Sequence, residues 1–194
     1  MKSRVFFGVS TVFLLISCAA VAQNVAAPSP ALDNDFVHQQ FGDSCSLAPQ
    51  FPPITGDLNG DGVEDLVIVA RCKNALIEQA EKNYKVIDPL DSFYGYGNPS
   101  ITTGFAPDDP RLRGIALLVI HGTGAEGWRS PAPQAKFVII NITVKTVTIK
   151  KMKVTKKKTT TAIFVEEAGA DEMTSAVFWD GRKYRYSPLG SSME

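Results

Sequence analysis

The sequence has few cysteines, few histidines and no excess of charge of either sign. Three cysteines among 194 residues are too few for a disulfide-dense scaffold or a four-cysteine zinc site. Basic and acidic residues each number 20, so the net charge gives no electrostatic argument for nucleic acid or an anionic membrane as partner. With two histidines and no nucleophile-elbow pattern, the sequence shows no catalytic triad. We therefore favour a non-enzymatic protein, and we keep an enzyme as the alternative.

The remaining composition is that of a folded chain. Hydrophobic residues make up 44% of the sequence and charged residues 21%, which is too apolar for an intrinsically disordered protein. This length suits one domain with a short extension. We assign residues 1–22 to a signal peptide, 23–31 to a proline-containing linker and 32–194 to a single domain.

The first 22 residues are typical of a bacterial secretory signal. Lys2 and Arg4 precede an apolar run from Val5 to Ile16, and small residues follow. The run is shorter than the roughly 20 apolar residues of a membrane-spanning helix. The segment therefore predicts export.

Two processing routes remain open for this segment. Ala20-Val21-Ala22 fits ordinary signal peptidase and would release a periplasmic or secreted chain beginning at Gln23. The preceding Leu15-Ile16-Ser17-Cys18 also resembles a lipobox, in which Cys18 is lipidated and anchors the protein in the envelope. Contact with a membrane is expected only in this second case.

After removal of the signal, Cys45 and Cys72 are the two cysteines that remain. An even pair in an oxidising compartment predicts a disulfide, with two buried free thiols as the alternative.

The apolar pattern predicts an α+β fold with a mainly antiparallel sheet. Helical spacing of apolar residues predicts a short helix at 32–41 and a second one at 74–84. Later segments with strand patterns dominate the second half of the chain, and Asp180-Gly181 is a hairpin signal. The predicted strands cover 66–70, 115–121, 136–143, 144–154, 159–166, 175–179 and 183–186.

One segment has a pattern with defined chemistry. Residues 57–65 place oxygen-bearing side chains at alternate positions, with a glycine after the third. A tight loop of this kind can wrap six to eight oxygens around Ca²⁺. The same residues can instead form plain Asx turns without a metal. The candidate ligands are Asp57, Asn59, Asp61, the carbonyl of Val63 and Asp65.

The stretch GDLNGDGVEDLVIV resembles the calcium loop of the FG-GAP and VCBS repeats, in which such a loop comes directly before a β-strand. It departs from the EF-hand loop, because Ile68 occupies the place of the twelfth-position glutamate. The resemblance covers about fifteen residues and implies Ca²⁺ binding by the five ligands named above. A propeller would need several such loops, and this chain has one.

A second candidate surface is aromatic. Phe93, Tyr94, Tyr96 and Phe105 lie in a segment rich in glycine and proline, and Trp128 follows a glycine-rich stretch. Exposed aromatic rings stack on sugars and peptides, so an envelope protein or a glycan is the expected partner. The same rings could instead fix a long loop onto the core.

Two functional hypotheses follow. The first is an exported Ca²⁺-binding domain with a binding or structural role and no enzymatic activity. The second is a secreted or periplasmic hydrolase with a structural Ca²⁺. Convergence of His121, Trp128 and a carboxylate in one cleft with the loop 93–105 would favour the hydrolase.

Overall fold

The computed structural model describes residues 30–88, 113–168 and 173–191, and these residues form a mainly β structure. Strands account for 46% of them and helices for 8%. The elements are α1 (Asn34–Phe41), β1 (Cys45–Leu47), β2 (Ile54–Gly56), β3 (Asp65–Cys72), β4 (Lys85–Ile87), β5 (Ile115–His121), β6 (Ala135–Ile139), β7 (Thr146–Lys153), β8 (Thr159–Glu166), β9 (Met173–Trp179) and β10 (Tyr184–Ser191). A single 3₁₀ turn, Gly124–Glu126, follows β5.

The first sheet is built around β3 and β5, which are its most apolar strands. Both are almost entirely buried and pair antiparallel, with Val67 opposite Val119. β1 and β2 pair with the two ends of the other edge of β3, and β6 continues the sheet beyond β5. β4 closes it by pairing parallel to β6.

The second sheet is an antiparallel meander in the order β10-β9-β8-β7. β9 and β10 form the hairpin that Asp180-Gly181 predicts, with Trp179 opposite Tyr184. β7 lies at the other edge, where Lys and Thr alternate with half-buried Val and Ile.

Three layers result from the packing of these elements. One face of the first sheet packs on the second sheet, where Leu117 and Val119 share a core with Ile163, Val165 and others. Its opposite face is covered by α1 and the segment 74–84. Because both faces are buried, β3 and β5 carry unbroken apolar runs instead of alternating ones.

α1 begins where the sequence supplies a cap. The Asp33 carboxylate accepts a hydrogen bond from the Phe36 amide at 2.9 Å, and the helix ends at Gly42. Phe36, Val37 and Phe41 are buried against the sheet, which confirms the first predicted helix.

The predicted disulfide is confirmed: Cys45 and Cys72 are bonded, with an S–S distance of 2.05 Å. The two residues lie directly opposite each other on β1 and β3. The bridge therefore joins the edge strand β1 to the central strands.

The predicted α+β class is wrong, because the second expected helix does not form and the chain is mainly β. Residues 74–84 make a series of turns, in which Ala75 and Tyr84 are buried while Ile77 is 72% exposed. The Glu78 carboxylate accepts hydrogen bonds from the amides of Asp43 and Ser44. These contacts tie the segment to the end of α1 and override its weak helical spacing.

Candidate functional site

Side chains of the loop 57–65 accept hydrogen bonds from backbone amides of the same loop. Asp57 accepts hydrogen bonds from the amides of Gly60 at 2.7 Å and Gly62 at 3.1 Å. Asn59 Oδ1 accepts one from Asp61, and Asp61 Oδ1 accepts one from Val63. Both glycines have φ near +80°, a conformation that favours glycine. The alternate polar positions therefore point inward to a tight turn, as their spacing predicts.

Asp65 ends this loop and begins β3, and it is fully buried. Its Oδ2 accepts the Leu58 amide and its Oδ1 accepts the Gly122 amide, each at 2.8 Å. No lysine, arginine or histidine in the described ranges forms an ion pair with it. A buried carboxylate that lacks a cation is costly when ionised.

This environment changes the proton affinity of Asp65. Burial raises its pKa from 3.8 to about 6, and the two backbone hydrogen bonds oppose that shift. The neighbouring Asp61 and Asp57 carboxylates raise it further by repulsion. Three carboxylates are therefore close enough to repel one another.

The glycine-rich stretch 122–127 packs directly against this loop. Trp128 N donates to Glu64 O at 2.9 Å. A Cβ on Gly122 would lie 2.3 Å from that same carbonyl oxygen, so only glycine fits there. The sequence pattern marks these glycines, but it does not reveal that their role is this close backbone contact. Gln134, which accepts a hydrogen bond from Asn59 Nδ2, is another neighbour that the sequence does not identify.

His121 lies beside the loop, but its side chain points between the two sheets. Its Nε2 is 2.7 Å from the Tyr184 hydroxyl, and its ring packs against Phe137 and Trp179. Burial lowers the His121 pKa from 6.5 to about 4, so the ring is neutral near pH 7. This hydrogen bond joins β5 of the first sheet to β10 of the second.

Trp128 lies on the opposite face of the first sheet from His121. Its ring is 5% exposed and meets Phe36 edge-on at 6.0 Å. Its Nε1 donates to Glu64 Oε2 at 3.0 Å, and the Arg129 guanidinium lies 4.4 Å from the ring centre. The ring therefore offers little area to a ligand, and it does not share a cleft with His121.

The loop contains oxygen donors of the kind that Ca²⁺ prefers, but in the described part of the chain no three His, Cys, Asp or Glu side chains are arranged around a common point. The oxygens of Asp57, Asp61 and Asp65 accept N–H groups instead. A carboxylate oxygen has two lone pairs, so each can accept one hydrogen bond and still bind a cation. The chemistry of the donor set therefore fits Ca²⁺, and these side chains would have to rearrange to close around the ion.

The other expected site residues lie outside the described ranges. They are Cys18, Phe93, Tyr94, Tyr96 and Phe105.

A comparison with protein-family models, curated proteins and solved structures returns no match to this chain. Within the described ranges, no helix has the length and apolar character needed to cross a membrane.

Proposed function

We propose that this chain is an exported Ca²⁺-binding domain with a binding or structural role. The ion is bound by the side chains of Asp57, Asn59, Asp61 and Asp65 and by the carbonyl oxygen of Val63. It neutralises the carboxylates of the loop and fixes the loop at one end of the two-sheet structure.

The buried Asp65 carboxylate is the observation that carries this proposal. Its two oxygens are oriented by the amides of Leu58 and Gly122, so it is held in place before any ion arrives. Asp57 and Asp61 add negative charge next to it. A divalent cation would relieve both the repulsion and the cost of the buried charge.

Export is supported by the disulfide. Cys45–Cys72 is a structural bond between two strands, and such bonds persist in oxidising compartments. The apolar segment after Lys2 and Arg4 also supports export. Lipidation at Cys18 and release as a soluble chain are the two forms that an exported product would take.

The hydrolase alternative has less support. His121 is hydrogen-bonded to the Tyr184 hydroxyl between the two sheets, and Trp128 is buried on the other face of the first sheet. No observation in the described ranges brings these two residues together with a carboxylate.

Calorimetric titration of the EDTA-treated protein with Ca²⁺ tests the proposal. We expect one site, with a Kd between micromolar and millimolar values, within the range that Ca²⁺ sites of sensor and extracellular proteins cover. Ca²⁺ at 100 times its Kd should raise the free energy of unfolding by about 2.7 kcal/mol.

Two variants of Asp61 sharpen the test. D61A removes the ligand, while D61N keeps an oxygen for the Val63 amide and removes only the charge. Both should weaken Ca²⁺ binding at least tenfold, whereas D43N, at a carboxylate that is 89% exposed, should not change it. Absence of heat and of a thermal shift at millimolar Ca²⁺ in the wild-type protein would sink the proposal.

A further inference from the structure

The zero net charge of the chain is the sum of two segregated parts. No acidic residue occurs between Glu126 and Glu166, whereas this interval contains Lys145, Lys150, Lys151 and six further cationic residues, four of them on β7 or in the turn that follows it. Most of the lysines lie on β7 and on the turn that joins it to β8. The sequence alone leaves open whether the fold spreads this charge or concentrates it.

The topology concentrates it. In a meander, the turn between β7 and β8 and the turn between β9 and β10 lie at the same end of the sheet. These turns, 154–158 and 180–183, are two strand spacings apart, or about 10 Å. The basic end is the set of cationic residues in these turns and the strand ends beside them: Lys150, Lys151, Lys153, Lys156, Lys157, Lys158, Arg182, Lys183 and Arg185.

Among the residues that the structure describes, few carboxylates lie at this end. Asp180 accepts a hydrogen bond from Arg185 Nε at 2.5 Å, so its charge is already compensated. Glu166 pairs with Thr146 at the far end of β7, about 23 Å from Lys153 at the usual rise of a strand. The loop 57–65 of the first sheet is near this end, since His121 beside it reaches Tyr184. Its four carboxylates are fewer than the nine cationic residues of the basic end.

The three lysines of the first turn, Lys156 to Lys158, are exposed, and none of them forms an ion pair with a described residue. Val154 at the same turn is 36% exposed, and its amide donates to the Lys158 carbonyl at 2.9 Å. An apolar side chain in the same turn as several exposed lysines suits the boundary between lipid headgroups and acyl chains.

We propose that the basic end docks on an anionic lipid surface. The lysines contact headgroup phosphates, and Val154 enters the interface between headgroups. The contact requires no Ca²⁺ and is separate from the ion site of the first sheet.

A lipid surface fits this end better than a nucleic acid does. Single-stranded nucleic acid is bound by exposed aromatic rings on which bases stack. Two of the rings nearest the turns, Trp179 and Tyr184, instead pack against His121 and Phe137, so their faces are not free for bases to stack on. Lysines predominate at the first turn, and a lysine is a point charge that attracts a phosphate without requiring a fixed geometry.

Co-sedimentation of the chain beginning at Gln23, without the apolar segment 1–22, with vesicles tests this proposal. The experiment uses phosphatidylcholine vesicles with and without 30% phosphatidylglycerol, in EDTA, so that calcium cannot bridge protein and lipid. We expect binding only to the anionic vesicles, and we expect it to weaken as salt rises. Each lysine near such a surface contributes about fivefold to the partition coefficient, so K156Q/K157Q/K158Q should bind about 100-fold more weakly. V154S should bind about threefold more weakly.

The matched control is K73Q/K82Q/K85Q, which removes the same charge from lysines outside the second sheet and should change binding by less than threefold. Equal binding to neutral and anionic vesicles, or an unchanged partition coefficient for the first triple variant, would overturn the proposal. Displacement by inorganic phosphate at matched ionic strength would replace the lipid surface with a discrete phosphate site. Tighter binding to single-stranded DNA than to the vesicles would also refute it. Because all arms contain EDTA, none of these outcomes depends on the calcium proposal.

Discussion

Asp65 gives a prediction about pH that depends on the structure alone. In the calcium-free protein its pKa is about 6, against 3.8 for an ordinary aspartate. Between these values the folded chain keeps a proton that the unfolded chain has released. The free energy of unfolding therefore decreases as the pH rises through this window.

The size of this effect follows from the shift. A difference of about two pKa units corresponds to about 3 kcal/mol, of which about 2.5 kcal/mol is lost between pH 4 and pH 7. His121 acts in the opposite direction, because its pKa of about 4 lies below the usual 6.5, and protonation on acidification favours unfolding. The pH profile of the wild-type protein alone would hide both contributions.

Comparison with D65N separates them. The asparagine cannot ionise, and its amide group faces the backbone N–H of either Leu58 or Gly122, so the variant has a cost that does not change with pH. We expect the stability of wild type minus that of D65N to fall by about 2.5 kcal/mol from pH 4 to pH 7 in EDTA. Urea denaturation followed by tryptophan fluorescence measures this difference at each pH.

The control is D43N, whose difference from wild type should not follow this profile because Asp43 is exposed. A D65N difference that is constant within 0.5 kcal/mol, or that rises with pH, would refute the argument that Asp65 is a buried carboxylate without a compensating cation.

Two further predictions concern the contacts around the site. The double variant C45A/C72A should lower the free energy of unfolding by about 3.5 kcal/mol, because the disulfide closes a loop with a sequence separation of 27. Urea denaturation measures this loss, and a loss below about 1 kcal/mol would contradict the prediction. G122A should lower the free energy of unfolding by roughly 2–3 kcal/mol, because its Cβ would meet the backbone of Glu64 and Trp128. G124A lies at a left-handed position with open space around it, so it should lower the free energy of unfolding by only about 1 kcal/mol. Equal losses in G122A and G124A would show that close packing is not the reason for Gly122.

The strands were accessible from the sequence because their patterns are strong. The apolar runs at β3 and β5 and the Asp180-Gly181 turn each favour one local structure, and the fold agrees with them. In the segment 74–84, the local sequence pattern and the tertiary contacts favour different structures. Its apolar spacing is weakly helical, but Glu78 contacts the chain 34 and 35 residues earlier, and no local pattern contains that contact. The predicted fold class failed for this reason.

The candidate site likewise has a part that depends on local contacts and a part that depends on residues far away in the sequence. The turn from Asp57 to Val63 is local, because its hydrogen bonds join residues only two to five positions apart. The burial of Asp65 is not local, because it depends on the position of Gly122, 57 residues later in the chain. The same holds for the basic end, since the lysines and the two turns are visible in the sequence but only the meander brings them together.

The two oxygens of Asp65 link the loop to the rest of the fold. One accepts an amide of the loop itself, and the other accepts the amide that follows β5. The adjacent residue, His121, bonds to Tyr184 at the start of β10. A cation that fixes Asp65 would therefore stabilise the turn, the end of β5 and the contact between the two sheets together. Calcium binding should for this reason protect the amide of Gly122 from hydrogen exchange as well as the amides of the loop. A metal bound only to the half-buried Asp57 and the exposed Asp61 would not protect Gly122.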